Sequence, residues 1–170
     1  MTRELIVLRH AKSDWDTKAA HDFDRPLAKR GLKAAKKIGR WMHRHDVIPD
    51  YVLVSTAKRA QQTIKRMDKV LDLDSKIVHP EPRIYEANVE TLLKVLADCP
   101  SEPQRVMLVG HNPGLEMLLL YLCPEASELD VAKLLPTAAL ARVEMPADWS
   151  HLAANSGKLL HIQRPRQLDT

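Results

Sequence analysis

Long hydrophobic runs are missing from this sequence. The longest strictly apolar stretch covers residues 117–123, far short of the roughly 20 residues a bilayer-crossing helix needs. A secretory leader is not expected either. The apolar run at residues 5–8 is too short and leads into Arg9 and His10, with no small-residue cleavage site. Cysteine is scarce, with Cys99 and Cys123 alone. That excludes a disulfide framework and suits a cytoplasmic chain with free thiols. Aromatics make up only 4%, and the 26 basic and 22 acidic residues are read as interleaved along the whole chain, leaving a net +4. A nucleic-acid binder needs basic and stacking groups gathered in one place, so neither nucleic acid nor membrane is an expected partner.

What is present reads as one folded domain over residues 1–170. The chain is long enough to bury a core without disulfide or metal staples, and 45% hydrophobic with 28% charged residues argues against disorder. No repeat, low-complexity tract or linker divides it. Short β-like runs at residues 5–8, 51–55, 77–78, 106–110, 139–145 and 158–162 alternate with helical patterns at 29–45, 59–71, 89–97 and 115–122. Loops or short helical turns are expected at 124–136 and 146–156. Strands alternating with helices predict a three-layer α/β/α sandwich on a mostly parallel sheet. Ligands of such folds gather at the carboxyl ends of the strands.

The polar residues at those ends form a coherent set. The first strand ends in Arg9-His10-Ala11-Lys12-Ser13, the second in Ser55-Thr56-Ala57-Lys58-Arg59. Arg83-Ile84-Tyr85-Glu86 follows the weak third run, and Gly110-His111-Asn112-Pro113-Gly114 closes the fourth. Two arginines, two histidines and a glutamate are thus expected on one sheet edge. An arginine fork matches phosphate oxygens, and helix N-termini favour anions. A neutral histidine can attack phosphorus, and a carboxylic acid can protonate a leaving group.

With Asp24-Arg25-Pro26-Leu27 and Ile84-Tyr85-Glu86-Ala87 added, these stretches resemble, in order, the signature of the histidine phosphatase (phosphoglycerate mutase-like) superfamily. Within it the SixA-type phosphohistidine phosphatases are most similar. The resemblance implies His10 as the nucleophile of a covalent phosphohistidine mechanism, with Arg9, Arg59 and His111 holding the phosphoryl oxygens. It implies Glu86 as proton donor, and Ser13 and Asn112 at positions that touch the phosphate or order its loop. It further implies a phosphohistidine-bearing protein as partner, inorganic phosphate as product, and neither cofactor nor metal. Two residues depart from the family pattern. Asp16 stands where an uncharged amide is usual, and Ala28 where a Ser or Thr often caps the first helix.

Other readings compete. A small-phosphoester phosphatase would use the same groups. A non-catalytic phosphoprotein-binding module would keep Arg9 and Arg59 but need no nucleophile. Cys99 and Arg105 have cysteine-phosphatase spacing, but two prolines remove the amides such a loop requires. Asp22-Phe23-Asp24 imitates a paired-aspartate motif without a strand leading into it. The segment 14–23 is the expected flap, and Lys12 and Lys58 are expected to steer anions at the mouth.

Overall fold

The computed structural model describes residues 2–130 and 134–168. Residues 1, 131–133 and 169–170, including part of the expected loop 124–136 and both ends of the expected domain, lie outside the described residues. In chain order the elements are β1 (Arg3–Arg9), α1 (Lys29–Arg44), β2 (Tyr51–Val54), α2 (Lys58–Leu71) and β3 (Val78–Pro80). They continue with α3 (Val89–Ala97), β4 (Arg105–Gly110), α4 (Gly114–Leu122), β5 (Leu140–Met145) and β6 (Lys158–Gln163). The sheet runs β3-β2-β4-β1-β5-β6. The first four neighbours pair in parallel, while β5 is antiparallel to both β1 and β6. The fold is the mostly parallel α/β/α sandwich expected from the sequence.

Alternation along the central strands builds both cores. In β1, Leu5 and Val7 pack with Leu92, Leu96, Leu115 and Leu119 of α3 and α4, while Ile6 and Leu8 pack with Ala35, Ile38, Ile64 and Met67 of α1 and α2. In β4, Val106 and Leu108 face the first layer and Met107 and Val109 the second. A strand covered on both faces must be apolar at every position, which is why β1 and β4 read as continuous hydrophobic runs. Each such side chain contributes about 1.5–3 kcal/mol of burial.

The connection after β1 is pinned at the start of α1. The Ala28 amide donates to the Lys12 carbonyl at 2.9 Å, supplying a tie where Ala28 has no capping side chain. Gly31 lies so close that a Cβ there would collide with the Lys12 carbonyl oxygen. Only glycine fits, and the loop that carries His10 is thereby fixed against the helix.

Candidate active site

Register places the two site histidines. Arg9 of β1 lies opposite Gly110 of β4, and the His10 amide donates to the Gly110 carbonyl at 3.0 Å. The chain leaves both strands at the same edge, so the His10 and His111 rings stand 5.1 Å apart between centroids. On the other flank of β4 the Ser55 amide donates to the Val109 carbonyl at 3.0 Å, ending β2 at the same level. The Ser55 hydroxyl sits 2.7 Å from Nε2 of His111. One turn further, Arg59 lies in the first turn of α2, a turn with no acidic residue to satisfy the helix dipole. Thr63 locks the corner: it accepts from the Ala11 amide at 3.0 Å and donates to the Arg59 carbonyl at 2.7 Å.

The protonation of His10 follows from its partners. Nδ1 lies 2.7 Å from the Ala11 carbonyl, which can only accept, so Nδ1 carries the proton and Nε2 its lone pair. Nε–H of Arg59 points at that lone pair from 3.4 Å. Burial, then the positive neighbours Arg59 and Arg9 together with His111, push the His10 ring down to about 3. Burial followed by Arg59 and Arg9 pushes His111 down to about 4. Burial also lowers Arg9, against the pull of Glu116. Both imidazoles are therefore neutral bases at neutral pH, kept so by desolvation and by cations that favour an incoming anion.

Three buried polar atoms here have no hydrogen-bond partner: Nε of Arg9, Nδ1 of His111 and Oδ1 of Asn112. Native interiors rarely leave such groups unpaired. When the Ser55 hydroxyl donates its hydrogen bond to Nε2 of the neutral His111 ring, Nδ1 carries the proton and is a donor. It then joins Arg9 in offering N–H groups suited to an oxyanion.

The remaining expected residues have different surroundings. Ser13 is buried, and its hydroxyl accepts from Nη1 of Arg25 at 2.6 Å. The Asn112 amide donates to the Leu135 carbonyl at 2.9 Å, a carbonyl that also accepts from Nη1 of Arg9 at 3.2 Å. Asp16 is exposed. Glu86 is exposed too, and its backbone is held at φ 57°, a left-handed conformation unusual for a non-glycine and concentrated at functional sites. The turn that carries it is closed by Gly114, where a Cβ would collide with the Ala87 carbonyl.

The sequence offers Asp22 only within an imitation paired-aspartate motif and Tyr85 only within the stretch Ile84-Tyr85-Glu86-Ala87, yet both stand at the site. The Asp22 carboxylate receives Nη2 of Arg59 at 3.0 Å, Nε of Arg25 at 3.0 Å and the Tyr85 hydroxyl at 2.7 Å. Its backbone carbonyl receives Nη1 of Arg59 at 2.8 Å. The Tyr85 hydrogen bond, then those from Arg25 and Arg59, hold the Asp22 carboxyl down to about 2. Burial and the Asp22 contact push the Tyr85 phenol up to about 12. Tyr85 also sets its ring edge against His111 at 5.5 Å. The expected flap is thus tied across the site through Asp22, with Trp15 exposed beyond it over the Arg25 guanidinium. By contrast, Arg105 lies at the opposite end of β4 and pairs with Glu4, away from the histidines. Among the described residues, no three His, Cys, Asp or Glu side chains gather as a metal site, and no helix is long and apolar enough to cross a membrane.

Two histidines thus stand beside two arginines at the carboxyl edge of a parallel sheet. The chain belongs to the histidine phosphatase superfamily (branch 1), whose family model matches residues 5–93. Its relatives include the phosphohistidine phosphatase SixA of Escherichia coli, 28% identical over 145 residues, covering 84% of this chain and 85% of that protein. An uncharacterized protein of Mycobacterium leprae is 28% identical over 94% of this chain and all of its own length. The solved structure of the protein histidine phosphatase SixA complexed with tungstate superposes with a TM-score of 0.80 at 25% identity, covering 96% of this chain and 98% of that one. This membership and these likenesses support phosphatase activity.

The depressed imidazoles have a measurable consequence. Nitrogen–proton correlation NMR is expected to show the His10 and His111 rings neutral from about pH 8 to about pH 5, where an ordinary histidine titrates. An imidazole with a lowered folded value takes up its proton first in the unfolded chain. Stability should therefore fall as the pH drops from 6.5 towards about 3. A His10 ring that titrates near 6.5 would contradict the burial argument.

Proposed function

We propose that this protein removes the phosphoryl group from phosphohistidine on a protein, through a phosphorylated His10. The observation that carries the reading is the fixed tautomer of His10, whose Nε2 lone pair faces Arg59. In the first step Nε2 attacks phosphorus, the bond to the substrate nitrogen breaks, and the released imidazole takes a proton, supplied where needed by Glu86. Arg9, Arg59 and His111 hold the equatorial oxygens as charge shifts. In the second step water attacks phospho-His10, Glu86 accepts its proton, inorganic phosphate leaves and His10 returns neutral. Ser13 and Asn112 serve by ordering the loops around the phosphoryl group. No step calls for a metal or an organic cofactor.

The protein substrate is supported by chain economy. Between β2 and β4 the described elements are α2, β3, α3 and two short 3-10 turns, with no inserted domain to close over the site. A mutase that must keep water from its phosphoenzyme needs such a cover. The test is a turnover assay on a histidine-phosphorylated protein beside a panel of small phosphoesters, with and without chelator. A higher kcat/KM on the phosphoprotein, unchanged by chelator, is expected. Preference for a small phosphoester would replace the substrate class. The absence of turnover on every substrate would leave a binding module.

A further inference from the structure

The near-balanced charge of the whole chain hides one face that is not balanced. Helix α1 carries seven lysines and arginines and not one acidic residue. Two of them, Lys29 and Arg30, sit in its first turn, where the helix dipole disfavours cations. Arg30, Lys33 and Lys37 follow at spacings of three and four, so like charges stack along one stripe. Helix electrostatics disfavours these four placements, whereas Arg44 in the last turn is favourably set. A surface that departs from helix-stabilising chemistry in this repeated way points to a role outside the helix itself.

That stripe forms one wall of a groove of about 530 Å³. Arg30, Lys33, Ala34 and Lys37 line it from α1, Lys12 from the loop after β1, Pro136 and Thr137 from the segment before β5, and Pro165 and Arg166 from the C-terminal 3-10 turn. Its five cations face an apolar strip of Ala34, Pro136 and Pro165. The ion pairs of the described residues lie elsewhere. Among the described residues, no carboxylate lines the groove itself, and Asp14 and Asp16 share a neighbouring hollow with Lys12 and Arg30. Two walls of the groove are tied by the backbone to the strand end that carries His10. Lys12 is two residues beyond His10, and the Ala138 amide, next to Thr137, donates to the carbonyls of Arg9 and His10 at 3.1 and 3.0 Å.

We propose that this groove docks an acidic, amphipathic segment of the protein substrate, flanking the phosphohistidine presented to His10. The proposal rests on the reading of a protein substrate given above. Charge complementarity selects acidic side chains, and the apolar strip selects a segment with hydrophobic residues among them. Nucleic acid fits less well, because the groove has no aromatic ring on which a base could stack. A flat bilayer surface cannot enter a concave groove.

The experiment uses a short phosphohistidine peptide and the same peptide joined by a flexible linker to a Glu-rich amphipathic segment. Wild type is expected to prefer the extended peptide by roughly tenfold in kcat/KM, through KM, with the preference shrinking as salt rises. In the double variant Lys33→Glu, Lys37→Glu the preference should vanish while turnover of the short peptide stays unchanged. A control that reverses Lys65 and Lys69 on α2 alters net charge equally and should keep the preference. Equal use of both peptides by wild type, or equal loss in the control, overturns the docking groove and leaves the phosphatase reading intact. No activity on either peptide, with turnover of p-nitrophenyl phosphate, overturns the phosphohistidine reading and the docking proposal with it. Preference for the extended peptide that survives in the double variant places docking elsewhere. Binding of a single-stranded oligonucleotide that the double variant abolishes, without a peptide preference, assigns the face to nucleic acid instead.

Discussion

Replacing His10 with alanine is expected to abolish the covalent intermediate and slow turnover by roughly three decades or more, about 4 kcal/mol of barrier. The size follows from what is lost. Without the imidazole, water must attack phosphorus directly, in a pocket whose cations hold the anion but supply no nucleophile. Rapid quench with labelled phosphohistidine substrate is the measurement. Wild type should trap label as acid-labile, base-stable phosphohistidine, and the alanine variant should trap none while still binding phosphate through Arg9 and Arg59. The ring is 7% exposed and packed at a strand end, so folding of the variant should be checked by its thermal transition. Label trapped on another residue, or turnover at the wild-type rate, would remove His10 from the nucleophile's place.

The elements that position His10 were readable because their physics is periodic. Buried parallel strands must be apolar at every position, and residues 5–8 and 106–110 are continuous apolar runs for that reason. Once both strands are parallel neighbours, Arg9, His10 and His111 have no choice but to share an edge. Arg59 joins them because the short turn after β2 opens α2 at the same edge. Asp22 obeys no such rule. It sits in a three-residue 3-10 turn and meets Arg59 across 37 positions of chain, a contact that no local pattern encodes. The aspartate pair around Phe23 drew attention for the wrong chemistry, as an imitation nucleophile rather than an arginine's partner. The tautomer of His10 was equally hidden, since it depends on which way the Ala11 carbonyl points. The basic stripe of residues 29–44 is written in the sequence, but reading the charges as interleaved along the whole chain passed over it. Only the packing of Pro136 and Pro165 against that stripe turned a charged helix face into a cleft.

Glu86→Gln is expected to separate the substrate classes. The carboxylic acid matters in proportion to the basicity of the group that departs. An alkyl phosphate releases an alkoxide, a poor leaving group that needs a proton as the phosphorus–oxygen bond breaks. Phosphohistidine has a labile phosphorus–nitrogen bond, and its ring can carry its own proton on the second nitrogen. The variant should therefore lose roughly two decades or more on an alkyl phosphoester, within the usual range for a general acid, and much less on a phosphohistidine protein. Glu86 is exposed and held in a left-handed turn, so the amide should replace the acid without disturbing the core. Steady-state kinetics of wild type and this one variant on both substrates measure the difference. Equal losses on the two would mean that Glu86 chiefly activates the water that releases phosphate from His10, a step common to both. No loss on either would place Glu86 outside the chemistry, and the donor would have to be sought at Tyr85, whose phenol keeps its proton beside Asp22.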